Sequence, residues 1–153
     1  MIQLIPVAYV SNSRPDIGDD HWIERSRIVL ADDMPTDALA GVEQFSHVHV
    51  LFHFHRADPA RQVTGLRHPR DNPDWPKVGI FARRGKNRPN HLGLATVRVV
   101  QVKDRTLTVE GLDAVDGTPV LDIKPVMSGF QPKGEVVEPA WSREIMSRYW
   151  SRK

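Results

Sequence analysis

His47-Val48-His49-Val50-Leu51-Phe52-His53-Phe54-His55 alternates with a period of two. Successive side chains of a β-strand point to opposite faces, so Val48, Val50, Phe52 and Phe54 share one face while His47, His49, His53 and His55 share the other. Working outward, the other segments rich in β-branched and aromatic residues are also short and separated by turn signals. That is the pattern of an antiparallel sheet or barrel, not of alternating βαβ units. Strands are expected near 2–10, 22–30, 45–55, 77–82, 93–103, 106–112 and 119–124. Seven short strands predict an all-β fold, a seven-stranded antiparallel β-barrel with short peripheral helices, because closure removes exposed edges. Thr36 or Asp37 is placed to cap a single turn over 37–40. A second helix is expected over 138–148 with Pro139 in its first turn. Trp141, Ile145, Met146, Tyr149 and Trp150 fall roughly on one face of that tail, a face that needs a partner surface.

The chain has 153 residues, 40% apolar and 26% charged, values ordinary for a globular protein. This predicts a single domain over 1–153, with a core over about 2–125 and a helical tail over about 138–150. No run approaches the roughly 18 apolar residues of a membrane span. The start, MIQLIPVAYV, has no basic leader and reads as a strand, which points to the cytoplasm. The absence of cysteine excludes disulfides, thiolate catalysis and Cys-ligated zinc. Net charge is only +2, but from Arg56 to Arg88 nine Lys and Arg stand against three Asp. That segment is the electrostatic footprint expected for a polyanion; a solvated basic loop is the plainer alternative. It includes the long loop from Asp58 to Lys77, rich in Pro and Arg and of a length that usually serves function or is disordered.

Three constellations are candidates for chemistry. The four histidines of the first stretch invite a metal reading, but residues two apart on a strand lie about 6–7 Å from each other. Chelation would need a third ligand from elsewhere, and no metal site is assigned; packing at a polar face is the alternative. In the second, Val78–Gly93 (VGIFARRGKNRPNHLG), a strand runs into a tight basic loop and out again, presenting backbone N–H groups and guanidinium forks to an anionic ligand. The third is Gly111–Pro125 (GLDAVDGTPVLDIKP), where Asp116-Gly117 is a strong turn signal. A turn does not explain Asp113 and Asp122, carboxylates among apolar neighbours that are suited to a ribose hydroxyl, an ammonium or a proton.

The last two blocks, with Gly41–His55 (GVEQFSHVHVLFHFH), resemble the signature blocks of the TrmO/YaeB family of S-adenosylmethionine-dependent tRNA methyltransferases, and the resemblance runs from Ile5 to about Pro125. It implies a seven-stranded barrel, S-adenosyl-L-methionine as methyl donor, a homodimer, and methylation of the exocyclic nitrogen of a threonylcarbamoyl-modified adenosine beside the tRNA anticodon. Carried over position by position, the donor-binding residues are His55, Arg56, Arg84, Leu94, Asp113, Ala114, Val115 and Asp116. Arg83, Arg88 and Asn90, in and beside the most recognisable part of the signature, fall on the substrate side. Asp113, Asp116 and Asp122 are the candidate catalytic bases, with His55 behind them.

The chain departs from the family pattern at Arg83-Arg84-Gly85, where Thr-Arg-Ser is usual, and at His91, where Pro is usual. The amino-terminal Pro-Arg-Gln motif is replaced by Asp19-Asp20-His21-Trp22, with Trp22 as a candidate stacking surface. The chain thus reads as a divergent, minimal member without the carboxy-terminal extension of one large branch. The alternatives are a methyltransferase of the same fold acting on another RNA or a small molecule, a non-catalytic barrel that binds S-adenosylmethionine or RNA, and a metal-dependent barrel enzyme.

Overall fold

Alternation decides which residues face inward. In β3 (His47–His53), Val48, Val50 and Phe52 are buried and the histidines stand half-exposed. β4 (Leu92–Lys103) begins the same way, with Gly93, Ala95 and Val97 inside and Leu94, Thr96 and Arg98 outside. With β1 (Ala8–Ser11), β2 (Arg25–Leu30), β5 (Thr106–Glu110) and β6 (Pro119–Pro125), these strands close an antiparallel barrel in the order β1-β2-β5-β4-β3-β6. The computed structural model describes residues 1–15 and 18–153. One cluster fills the interior, its largest members Phe52, Ile28 and Leu107.

The described residues form six strands and not seven. The segment expected as a strand over 77–82 makes one isolated bridge, Arg67 with Val78, and then a 3-10 turn over Ile80–Ala82. In a closed ring both edges of every strand are taken, so the barrel leaves this segment no strand edge and its one bridge is to the neighbouring loop. The first strand also begins later than expected: residues 1–5 are exposed, and Pro6 has no N–H to give a ladder. The turn over Thr36–Leu39 is 3-10 and lacks a side-chain cap, because its N-cap position is Pro35, which has no side-chain acceptor; Thr36 lies inside the turn and its hydroxyl accepts from Arg105 Nη1 at 3.2 Å. The tail helix α1 spans only Ala140–Ile145, following Pro139. The long loop from Asp58 to Lys77 is organised by 3-10 turns at Pro59–Arg61 and Pro69–Asp71 and by the Arg67–Val78 bridge. No helix among the described residues is long and apolar enough to cross a membrane.

Phe52 and Gly93 sit opposite each other in the β3–β4 register. The Phe52 ring lies on the glycine, and a Cβ there would come within 2.4 Å of two ring carbons. Phe54 packs edge-on against the same ring, with centroids 5.2 Å apart. Gly93 is therefore required by close approach and not by a positive φ. Gly93→Ala is expected to cost about 1–3 kcal/mol of stability by overpacking. Urea denaturation checks this, and Phe52→Leu in the Gly93→Ala background recovers part of the loss if the ring is the cause.

Candidate functional site

Beyond β5 the chain turns at Gly111, whose φ of 82° favours glycine, and crosses the end of the barrel to β6. Leu112, Ala114 and Val115 turn their side chains into the core, so Ala114 and Val115 offer a ligand main-chain atoms only. The crossing is tied to the end of β1. Asn12 Nδ2 donates to the Ala114 carbonyl at 2.9 Å and to Ser26 Oγ at 3.0 Å, and Asn12 N donates to Asp116 Oδ1 at 2.9 Å. Asp116 N donates in turn to the Arg14 carbonyl at 2.8 Å. Gly117 holds φ at 80°, and a Cβ there would lie 3.8 Å from His55 Nε2, so His55 stands against the Asp116-Gly117 turn. Partial burial, then the positive charge of Arg56, lowers the His55 pKa, which keeps the imidazole neutral near pH 7.

Asp113 lies at the centre of this crossing. Its Oδ2 accepts a hydrogen bond from the Tyr149 hydroxyl of the carboxy-terminal tail, while Oδ1 is buried and has no hydrogen-bond partner among the described residues. Burial pushes the carboxyl above its ordinary 3.8; the Tyr149 hydroxyl, the backbone N–H and the nearby Arg84 guanidinium oppose this. Arg84 Nη2 donates to the Leu94 carbonyl, and Leu94 is 47% exposed. Asp113, Arg84 and Leu94 thus converge, with Asp116 and His55 at the adjoining turn. An unpaired buried acceptor beside a guanidinium and an open apolar side chain is a costly arrangement that a ligand donor group would satisfy.

The other expected site residues are placed differently. Arg88 Nη1 donates to the Arg83 carbonyl at 2.7 Å and so clamps the basic loop on itself. Arg83 Nε and Nη2 are buried without hydrogen-bond partners among the described residues, and burial followed by the charge of Arg67 disfavours its cationic form. Asn90 is exposed with a φ of 63°, and Arg56 is exposed. Asp122 stands on the outer wall opposite Leu51, two strands over from Leu94, and pairs with Lys124 at 3.0 Å.

The histidine face is occupied by local contacts: His47 Nδ1 lies 2.7 Å from Ser46 Oγ and His49 Nδ1 lies 2.9 Å from Thr96 Oγ1. Trp22, expected as a stacking surface, is buried, with the Arg14 guanidinium 3.7 Å from its ring centroid. A concavity of about 460 Å³ opens on the β1–β2 flank, with Asn12 and Ser26 in its wall. Two residues at the site escaped sequence reasoning as site residues. Asn12 carries a local signal, its Oδ1 accepting from Arg14 N at 2.9 Å as an Asx-turn does. Tyr149 was visible only as part of an apolar stripe.

A carboxyl whose folded-state pKa is raised weakens the fold as pH climbs from about 4 through the raised value. Below the ordinary 3.8 both states are neutral and the effect vanishes. Asp113→Asn is therefore expected to raise Tm at pH 7, with the gain over the parent shrinking as pH falls toward 4. Calorimetric melts across that range check the sign.

The model of the family described as tRNA-methyltransferase O N-terminal domain matches residues 12–131. A human tRNA (adenine(37)-N6)-methyltransferase is 38% identical over 105 residues, covering 69% of this chain and 23% of its own length. An Archaeoglobus fulgidus protein named "Probable S-adenosyl-L-methionine-binding protein" is 40% identical over 98 residues, covering 64% of this chain and 25% of its own length. The crystal structure of TrmO from Pseudomonas aeruginosa superposes with a TM-score of 0.71 at 28% identity, over 90% of this chain and 61% of that one. The chain spans about a quarter of the two curated relatives and under two thirds of the solved chain. With the matched residues running from the end of β1 past β6 and the same barrel in a solved relative, the chain belongs to the tRNA-methyltransferase O N-terminal domain family.

Proposed function

We propose that this chain binds S-adenosylmethionine where Gly111–Thr118 crosses the barrel end, and methylates the exocyclic nitrogen of a threonylcarbamoyl-modified adenosine in tRNA. The observation that carries this reading is the Asp113 carboxyl, buried with Oδ1 unpaired, beside Arg84 and the exposed Leu94. The names of the relatives support it: one is named a tRNA (adenine(37)-N6)-methyltransferase, another a probable S-adenosyl-L-methionine-binding protein. The donor set fits that molecule. Arg84 suits a carboxylate, Asp113 Oδ1 an ammonium or ribose hydroxyl, Leu94 the adenine face, and the Ala114–Asp116 main chain its polar edges, with His55 and Arg56 flanking the turn.

S-adenosylmethionine supplies an electrophilic methyl group on a sulfonium. The residues contribute position, which for an in-line displacement is most of the catalysis, and no covalent nucleophile is needed. A nitrogen conjugated to a carbonyl is a weak nucleophile, so a base beside it helps. That role falls to the exposed Asp116, which keeps one oxygen free of Asn12 and has the neutral His55 beside its turn. Asp122, paired with Lys124, is left outside the reaction. On the acceptor side, Arg88 shapes the basic loop, Asn90 lies at its open end, and the two unpaired Arg83 nitrogens suit an anionic group. Because Arg83 stands where Thr is usual in the family, it also favours a second reading, in which the same chemistry acts on another RNA or on an anionic small molecule.

The reading includes a cytoplasmic homodimer formed by residues 1–153 as one barrel-and-tail unit. The exposed Leu66 and Phe81, 69% and 82% accessible within the basic segment, support such an interface.

Calorimetric titration with S-adenosylmethionine tests the donor site. Micromolar binding is expected, weakened at least about tenfold in Arg84→Ala, because a hydrogen bond to a charged group contributes roughly 1.5–3 kcal/mol. Methyl incorporation into tRNA with and without the threonylcarbamoyl group then separates the two acceptor readings. Binding without incorporation into either would leave a non-catalytic binding barrel.

A further inference from the structure

Residues 138–153 lie beyond the matched family segment, which ends at residue 131, yet they are built into the site. After α1 the chain returns along the segment that leads into β2: His21 N donates to the Arg148 carbonyl at 3.2 Å and Trp22 N to the Tyr149 carbonyl at 2.7 Å. Ser151 Oγ lies 3.0 Å from His21 Nδ1, and Trp75 Nε1 donates to Glu144 at 2.7 Å. The Trp150 ring rests on Gly111, 3.6 Å from where a Cβ would stand, and packs edge-on against Tyr149. Tyr149 is held on both sides, and its hydroxyl meets Asp113 Oδ2.

This arrangement does more than anchor a tail. The terminal torsion of an aspartate is broad and twofold, so a carboxylate without partners presents no single oxygen in any one direction. A hydrogen bond from an immobilised phenol sets its plane. With Oδ2 engaged, the buried Oδ1 is the oxygen left for a ligand. We propose that Tyr149 is a positioning residue, holding the Asp113 carboxylate so that Oδ1 faces the S-adenosylmethionine site, and that the carboxy-terminal tail thereby completes that site. This rests on the donor reading of the barrel end given above.

The surrounding charges are consistent with the role. Arg84 from the basic loop acts on both groups, and Arg70 from the long loop, itself paired with Asp20 at 3.1 Å, acts on Tyr149. Burial, then the Asp113 carboxylate, raises the Tyr149 pKa, so the phenol stays a donor at any working pH. Its hydrogen bond favours the charged form of Asp113 against the burial that disfavours it.

Titration of the full chain with S-adenosylmethionine between pH 5 and 8 tests this, comparing the parent, Tyr149→Phe and Ser151→Ala. Tyr149→Phe keeps the ring and the tail but lacks the hydroxyl. It is expected to keep its melting temperature within a few degrees, to bind roughly tenfold more weakly, as for loss of a hydrogen bond to a charged group, and to move the acid limb of affinity to higher pH. Ser151→Ala loosens the tail without touching that hydroxyl and is expected to leave the acid limb in place. Carbon-13 titration of the Asp113 carboxyl in ligand-free protein should show the same upward movement in Tyr149→Phe, whatever the ligand. Parent-like affinity and an unchanged acid limb in Tyr149→Phe overturn the proposal and leave the donor reading standing. If the parent itself fails to bind, the donor reading falls and the proposal falls with it.

Discussion

Closure of the barrel rests on the seam between β1 and β6, which is two residue pairs long, Ala8 with Val120 and Tyr9 with Pro119. Outside those pairs the seam is continued by atoms that belong to the site. Val10 N donates to the Thr118 carbonyl at 2.9 Å, Gly117 N to the Val10 carbonyl at 2.8 Å, and Asp116 N to the Arg14 carbonyl at 2.8 Å. Asn12 adds its own amide and side chain. Residues 114–118 are therefore the closing stitch of the fold as well as one wall of the site. A backbone so pinned holds its exposed groups with little freedom, which is the pre-organisation that binding a small polar molecule rewards.

The electrostatics follow from the same closure. With the crossing drawn against the barrel end, Asp113 is withdrawn from water, and a carboxylate there is costly unless it is paired. The fold supplies two partial remedies from distant parts of the chain, the Tyr149 hydroxyl and the Arg84 charge, and leaves one oxygen without a hydrogen bond. Asp116 and Asp122, only a few residues on, escape this because one is exposed and the other sits against Lys124 on the outer wall. Three carboxylates that look alike in sequence thus differ in what they are able to do.

The alternation of Val48, Val50 and Phe52 was legible because burying one face of a strand leaves a period-two trace, and the inward residues are the ones it marks. Val78 and Ile80 left a similar trace without forming a strand. β-propensity registers fit to a pleated surface, not whether an edge is open to receive one. The convergence of Arg84, Leu94 and Asp113 was reached through resemblance in the motifs and not through any period. Asn12 and Tyr149 were missed as site residues because their partners are 104 and 36 positions away, and no local pattern encodes a contact of that span. Trp22 shows the converse limit: an aromatic residue is plain in the sequence, but the guanidinium that covers it is not.

The short seam also bears on how the molecule is made. Asn12 and Asp116 lie 104 residues apart, and β1 has only β2 to pair with until β6 exists. As the chain leaves the ribosome, one edge of the growing sheet stays open through most of synthesis, the condition in which strands find wrong partners. At four residues, β1 offers a waiting edge too short to be a good template for wrong pairing. The Asp113 environment is later still: the tail cannot dock before residue 149 is made, so a nascent chain acquires its barrel before its complete site.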